Sequence, residues 1–463
     1  MKEVLQSEGG AALQEDYAGA KRMRTILCIL ATAVAVEAFA VNPITGEGTF
    51  LSDPAGRVGP DGRLRIFCSR DESPSHYCSP ANDMLETADL LSWKLHRDIF
   101  RTANPLPSEA MLYAPDAIFH DGKWRLFYCT STWHAEGIAS SDRAEGPYVA
   151  ARQLGECAQI DPSVFRDDDG TLYYFWGQFS LKGAVLKPDL SGFDESGIRE
   201  GIIDERRHHF HEGVQLFKRR GIYYLAYADI SRNHGGDKCR PTCIGYATAN
   251  RPFGPYTYRG VVVDNFGCDP QSWNNHGSIV EFGGKWYVFY HRTTNGSVSR
   301  RKACVEPIEF DEDGLIREVE MTTSGIGAPL NPFARTEARL ACQLTGNVRI
   351  VTLPDGQERL DEIQPGDTAI WRYFDFDREA ASLEVECYPK DGGRLVVSDA
   401  KGMTMATLDV PSGNGRELVR VTAPVVGGFA SKRPSKAAVR IAFEGTGGRR
   451  FGSLEAFSFR PRD

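Results

Sequence analysis

Five acid/base groups in this sequence, Asp53, Asp116, Asp161, Glu212 and His276, stand at or near the head of similar segments. Four carboxylates and an imidazole gathered in one pocket would repel one another and be costly unless used, and such crowding drives their pKa values apart. A carboxyl kept protonated beside an ionised one is the equipment of general acid/base chemistry.

The elements that must position these groups are five repeated units, each a short apolar strand, a tight turn and an aromatic-rich strand. They are DPAGRVGPDGRLRIFCS from Asp53, PDAIFHDGKWRLFYCTS from Pro115, DPSVFRDDDGTLYYFWG from Asp161, EGVQLFKRRGIYYLAYAD from Glu212 and HGSIVEFGGKWYVFYHR from His276. Asp-Gly and Gly-Gly pairs suit hairpin turns that need positive φ, and the flanking Ile, Val, Tyr, Phe and Trp suit half-buried pleated surfaces. The turn glycines 62, 122, 170, 221 and 284 recur at roughly 50 to 60 residues, the size of a four-stranded propeller blade. No long segment carries apolar residues at a 3.6 period. The expectation is therefore an all-β chain whose first part is a five-bladed β-propeller, with the leading residues converging on one end of the central channel.

At 463 residues, 41% hydrophobic and 25% charged, the chain can bury a sizeable core and holds more than one domain. A net charge of −8 gives no basic surface for a phosphate backbone, so nucleic acid is excluded as a partner. KRMRTILCILATAVAVEAFA, residues 21 to 40, reads as a secretory signal with its basic start, short apolar run and Ala38-Phe39-Ala40 ending. The run is too short to span a bilayer. Residues 1–40 are thus expected to be a signal peptide with extra N-terminal residues, translation starting at Met23, and the mature chain is expected to be secreted or periplasmic with no membrane partner. Export permits disulfides, Cys239 with Cys243 and Cys68 with Cys78 being the local candidates.

IDPSVFRDDDGTLYYFWG, HEGVQLFKRRGIYYLAYAD and NNHGSIVEFGGKWYVFYHR, with YAPDAIFHDGKWRLFY in support, resemble the family 43 glycoside hydrolases, five-bladed propellers that cleave arabinose- or xylose-containing plant polysaccharides. The resemblance covers about residues 41–332. It implies Asp53 as general base, with Asp71 the alternative, Asp161 as the acid that tunes and orients the proton donor, and Glu212 as that donor. It further implies a hydrated calcium or similar ion near His276, no organic cofactor, and contact between substrate hydroxyls and Arg301, with Arg300 the alternative. Inverting hydrolysis needs one carboxyl to protonate the leaving oxygen and another, roughly 6.5 to 9.5 Å away, to activate water on the opposite face. A third, ionised carboxylate raises the acid's pKa by repulsion, the job this assigns to Asp161.

Trp133, Trp176 and Trp273, near repeat boundaries, are candidate platforms for the apolar faces of a sugar. From LNPFARTEARL onward the aromatic repeat is gone, and residues 340–463 run as short alternating strands expected to form a β-sandwich. GDTAIWRYFDF and GSLEAFSFRP resemble a family 6 carbohydrate-binding module, although SGNGRELVRV lacks the tryptophan that related modules stack on sugar. The expected function is an exported, inverting, exo-acting glycosidase releasing L-arabinofuranose or xylose from an oligosaccharide or polysaccharide. The alternatives are a galactofuranosidase, a retaining fructan-type enzyme on the same fold, whose Asn before Asp-Pro is missing at Leu51-Ser52-Asp53-Pro54, and a propeller that binds glycans without cutting them. Linkage, disulfide pairing and oligomeric state are not encoded in these motifs.

Overall fold

Strands form wherever the sequence alternates β-branched or aromatic residues with polar ones, and the turn pairs close them into hairpins. The computed structural model describes residues 34–36, 41–102, 110–131, 135–235, 240–430, 434–445 and 450–462. At Asp121-Gly122 and Gly283-Gly284 both turn residues take positive φ, the mirror-image turn whose twist matches the flanking strands. Among the described residues helix is confined to single turns, Glu205–His208 and Gly427–Ala430, with a 3-10 turn at Ala338–Leu340. Among the described residues no helix is long and apolar enough to cross a membrane.

Five antiparallel sheets occupy residues 51–308, each built in chain order from its leading strand. The leading strands are Leu51–Val58, Leu112–His120, Ser163–Arg166, Phe210–Arg219 and Ser278–Phe282. Each neighbours the next, and the last returns to the first. Val34–Val36 lies antiparallel to Trp93–Leu95 at the outer edge of the first sheet; the rest of the expected leader lies outside the described residues.

Polar side chains tie the leading strands together where backbone pairing between sheets is absent. The Asp116 carboxylate takes the Arg57 guanidinium (Nε to Oδ1 2.8 Å) and the Val164 amide (2.8 Å), while Arg57 Nη2 donates to the Val164 carbonyl (2.8 Å), so one ion pair joins three sheets. Gln215 exchanges two hydrogen bonds with the Ile279 backbone, at 2.9 and 3.2 Å. Ser278 Oγ accepts from the Gly56 amide (2.9 Å) and donates to the Pro54 carbonyl (2.8 Å), closing the cycle. The Phe179 amide donates to the His211 carbonyl (2.7 Å) between the third and fourth sheets.

Residues beyond 335 form two further sheets, one centred on Gly452–Pro461 and the other on Ala437–Glu444, that share one apolar core. Trp371 lies wholly inside that core, edge-on to Phe457 at 4.9 Å. This region is fastened to the first by Lys302 with Glu358 (2.7 Å), both buried, and by the Asn295 amide donating to the Ile350 carbonyl (2.8 Å).

Cys68 and Cys78, expected as a pair, are separate buried thiols, because the strand and turn between them hold Cys68 inside the sheet and Cys78 beside Arg301. Cys239 lies outside the described residues.

Breaking a buried ion pair from one side leaves an uncompensated charge and costs about 3 to 5 kcal/mol. Asp116→Ala is expected to lower unfolding stability by about 3 kcal/mol, since Arg57 keeps some exposure to water. Urea unfolding of the variant checks it.

Candidate active site

The leading strands are not regular where they meet the pocket. Pairing of Leu51–Val58 with its neighbour skips from Ser52 to Ala55, leaving Asp53 and Pro54 in a bulge, and Asp53 takes φ 53°. Asp161, just before the third leading strand, takes φ 64°. In the fourth, pairing skips from Glu212 to Gln215, with Gly213 at φ 66° between them. Bulges bend a strand and re-aim its side chains, which turns Asp53 and Glu212 out of the pleat, while Asp161 stands ahead of its strand on a left-handed residue. Gly213 is required by space as well: a Cβ there would sit 2.9 Å from the His276 ring.

The acids line one cavity of about 470 Å³, together with Tyr77, Tyr113, Gln178, Phe179, Trp273, His276 and Arg301 among others. On one side of it Arg301, buried in Ser297–Ile308, holds two carboxylates at once. Its Nη1 donates to Asp53 Oδ1 (2.8 Å), while Nε and Nη2 fork onto Asp71 (2.9 Å each). Burial alone would push the Asp53 carboxyl up; the Arg301 charge, with lesser help from its neighbours, outweighs this and brings it down to about 2. Behind Asp53, burial and then the Arg301 charge lower His291 to about 3, keeping it neutral. Neutral His291 fits its contacts: Nδ1 accepts from the Asp53 amide (3.3 Å), and Nε2 donates to the Asn274 side-chain oxygen (3.1 Å).

Across the cavity the balance reverses. Asp161 is buried, and its carboxyl is pushed well above the usual range, by burial first and then by the charges of Glu212 and Asp53. A hydrogen bond from the Gly213 backbone opposes this without overcoming it. Glu212, only half-buried, receives Gln178 Nε2 on Oε2 at 2.7 Å. The upward shift thus belongs to Asp161, the more deeply buried of these two acids.

Asp53, Asp161, Glu212, His276, Arg301 and Trp273 come together as expected, Trp273 about one-third exposed at the rim. Asp53 rather than Asp71 faces the cavity, because Asp71 is enclosed by the Arg301 fork and the Cys78 amide. Arg300 points the other way along the strand, over the Phe50 ring at 4.5 Å. Trp176 is a correction: it lies in the core, stacked on Phe193 at 5.4 Å, because the strand Leu172–Trp176 presents it away from the cavity. Asp116 is another, since it binds Arg57 and does not line the pocket. Trp133 lies outside the described residues. Gln178, Phe179, Tyr77 and Tyr113 were missed; the first two sit between repeats, Tyr77 lies on a segment without a distinctive motif, and Tyr113 heads the quoted YAPDAIFHDGKWRLFY stretch. His291 was missed although it lies in the quoted YHR stretch.

His276 stands 3.7 Å from Asp53, and burial lowers its pKa, leaving it in the neutral form that ligates metals. Calcium takes six to eight oxygens. His276 offers nitrogen, Asp53 is committed to Arg301, and among the described residues no three ligating side chains cluster. An ion held there would take its oxygens from water.

Residues 50–316 match the family described as Glycosyl hydrolases family 43. A xylosidase/arabinosidase of Thermoclostridium stercorarium is 32% identical over 351 residues, spanning 65% of this chain and 72% of that protein. The crystal structure of a family 43 arabinoxylan arabinofuranohydrolase from Bacillus subtilis, in complex with cellotetraose, aligns over 92% of this chain and 99% of that one at a TM-score of 0.52 and 24% identity. A β-xylosidase/α-arabinofuranosidase from a compost microbial metagenome, solved with xylotriose in a calcium-free form, aligns over 62% and 99% at a TM-score of 0.52 and 25% identity. The chain belongs to family 43 of the glycosyl hydrolases and is a glycoside hydrolase of the arabinofuranosidase/xylosidase type.

Proposed function

We propose that this chain is an exported, inverting, exo-acting glycosidase that releases L-arabinofuranose or xylose from xylan-type glycans. The observation that carries the reading is the division of charge across one cavity: Asp53 is held ionised by Arg301, while the buried Asp161 beside Glu212 is driven toward its protonated form. Environments that push paired carboxyls apart assign the base and the acid. The names of the relatives, xylosidase/arabinosidase and arabinoxylan arabinofuranohydrolase, support the substrate class.

In this reading Asp53 takes a proton from the attacking water, and Glu212 gives one to the leaving oxygen. Glu212 is the member of its pair that reaches the cavity while partly exposed, and Gln178 fixes its orientation. Asp161, the more deeply buried neighbour, is driven toward its protonated form and stands as the proton reserve for Glu212. Arg301 acts mainly through Asp53, because Nε and Nη2 are taken by Asp71 and Nη1 already bonds Asp53. A hydrated calcium beside His276 would supply positive charge beneath the sugar. The same proposal takes the five sheets as propeller blades around the cavity and the region beyond residue 335 as a β-sandwich. With Trp371 buried, that sandwich serves as an ancillary domain rather than a sugar platform.

Three measurements test the proposal. Glu212→Ala and Asp161→Ala should each lower kcat on an aryl arabinofuranoside or xyloside by about 10²-fold or more, with the far-UV spectrum unchanged; full activity in either would sink it. Proton magnetic resonance of the first-formed sugar should show the inverted anomer, and a retained anomer would point to the fructan-type mechanism. The third follows the Asp161 proton: because burial and then the Glu212 charge hold it, Glu212→Gln should let the Asp161 carboxyl lose that proton at lower pH, read by carbon-13 magnetic resonance of the labelled carboxyl.

A further inference from the structure

Phe179 is an anomaly that neither the repeats nor the core explains. It is a large apolar side chain half exposed to solvent, on a backbone at φ 64°, a conformation that bulky residues rarely adopt. The chain is held there from both sides, the Phe179 amide donating to the His211 carbonyl (2.7 Å) and the Glu205 amide donating to the Phe179 carbonyl (3.1 Å). The ring packs edge-on to His211 at 5.1 Å, and Glu205 Oε1 lies 3.2 Å from His211 Nδ1. The structure therefore fixes an exposed aromatic face in one place.

That place is the divide between two cavities. Phe179 lines the pocket of the three acids, and it also lines a second cavity of about 940 Å³ with Asp204, Glu205, Arg206, Arg207 and Ile230. Its chain neighbour Gln178 holds Glu212, and its ring partner His211 precedes Glu212 in sequence. The ring thus belongs to the proton donor's side of the pocket. A proton donor must face the leaving oxygen, so the group that departs lies on this side and not on that of Asp53.

We propose that Phe179 is the floor of a leaving-group subsite: the sugar ring attached to the departing oxygen packs its apolar face on Phe179, and the rest of the glycan continues through the second cavity. The proposal rests on the glycosidase reading above. It assigns the natural substrate as an oligosaccharide or polysaccharide rather than a glycoside of a small alcohol. Flat apolar stacking recognises a ring face without reading each hydroxyl, so the subsite tolerates differently decorated rings.

The test compares a leaving group that has a ring with one that has none. For wild type, Phe179→Ala and Phe179→Trp, kcat/KM is measured on xylotriose, or an arabinose-substituted xylo-oligosaccharide if arabinose is released, and on the glycosyl fluoride of the same sugar. Phe179→Ala should lower the oligosaccharide-to-fluoride ratio roughly tenfold, with Phe179→Trp restoring it. An unchanged ratio, or equal losses on both substrates, would overturn the proposal, and the fluoride rate certifies that the variants are folded. Failure of the wild type to cleave either substrate would instead overturn the glycosidase reading.

Discussion

A single buried guanidinium sets the charge arrangement of the pocket. Arg301 is almost wholly removed from water, which is tolerable only because Asp53 and Asp71 compensate it through fitted hydrogen bonds. Two carboxylates against one cation leave the group net negative. Asp161, with no ion-pair partner among the described residues, is raised first by its burial and then by the Glu212 and Asp53 charges. Removing Arg301 would therefore strand two buried carboxylates and erase the contrast between Asp53 and Asp161 on which acid/base chemistry depends. The cation holds the site together while directing little of its own donor capacity toward a ligand.

This arrangement requires residues about 250 positions apart in sequence to meet within hydrogen-bond distance, Asp53 with Arg301 being the example. The cycle of leading strands provides that closeness, and polar bridges such as Asp116 with Arg57 and Gln215 with Ile279 keep neighbouring sheets in register. The bulges supply the last adjustment. A regular strand would alternate its side chains between the two faces of a sheet; skipping two residues at Asp53 and again at Gly213 lets the acids leave that alternation.

Hairpins and acids were legible in the sequence because their signals are local: two turn residues of permitted positive φ, alternating strands, and a carboxylate or imidazole near each leading-strand start. What failed was phase. The second leading strand skips from Tyr113 to Asp116, as the first skips from Ser52 to Ala55. Aligned on their prolines, DPA and APD place Ala114 opposite Asp53, and Asp116 opposite Ala55. Asp116 therefore faces the neighbouring sheets instead of the pocket, an outcome that bulge register decides and composition does not. Trp176 failed for the related reason that an aromatic-rich strand does not declare which face is core. Gln178 and Phe179 lie in a connection whose shape comes from backbone bonds to His211 and Glu205, formed only once the third and fourth sheets are side by side.

The same strand that carries Arg301 also explains why the region beyond residue 335 is more than an appendage. Consecutive residues of a strand face opposite ways, so Lys302 points out of the back of the site, where burial lowers its pKa and Glu358 counters it at 2.7 Å. Glu358 also receives the Gly48 amide (3.0 Å), linking the segment that precedes the first leading strand to the same ion pair. One strand thus presents a cation to the cavity from one face and a second cation to the C-terminal region from the other. Without its cover, the Lys302 face would open to water and the strand beneath Arg301 would lose its outer packing. The position of the Asp53 carboxylate then depends on a contact made entirely outside the cavity.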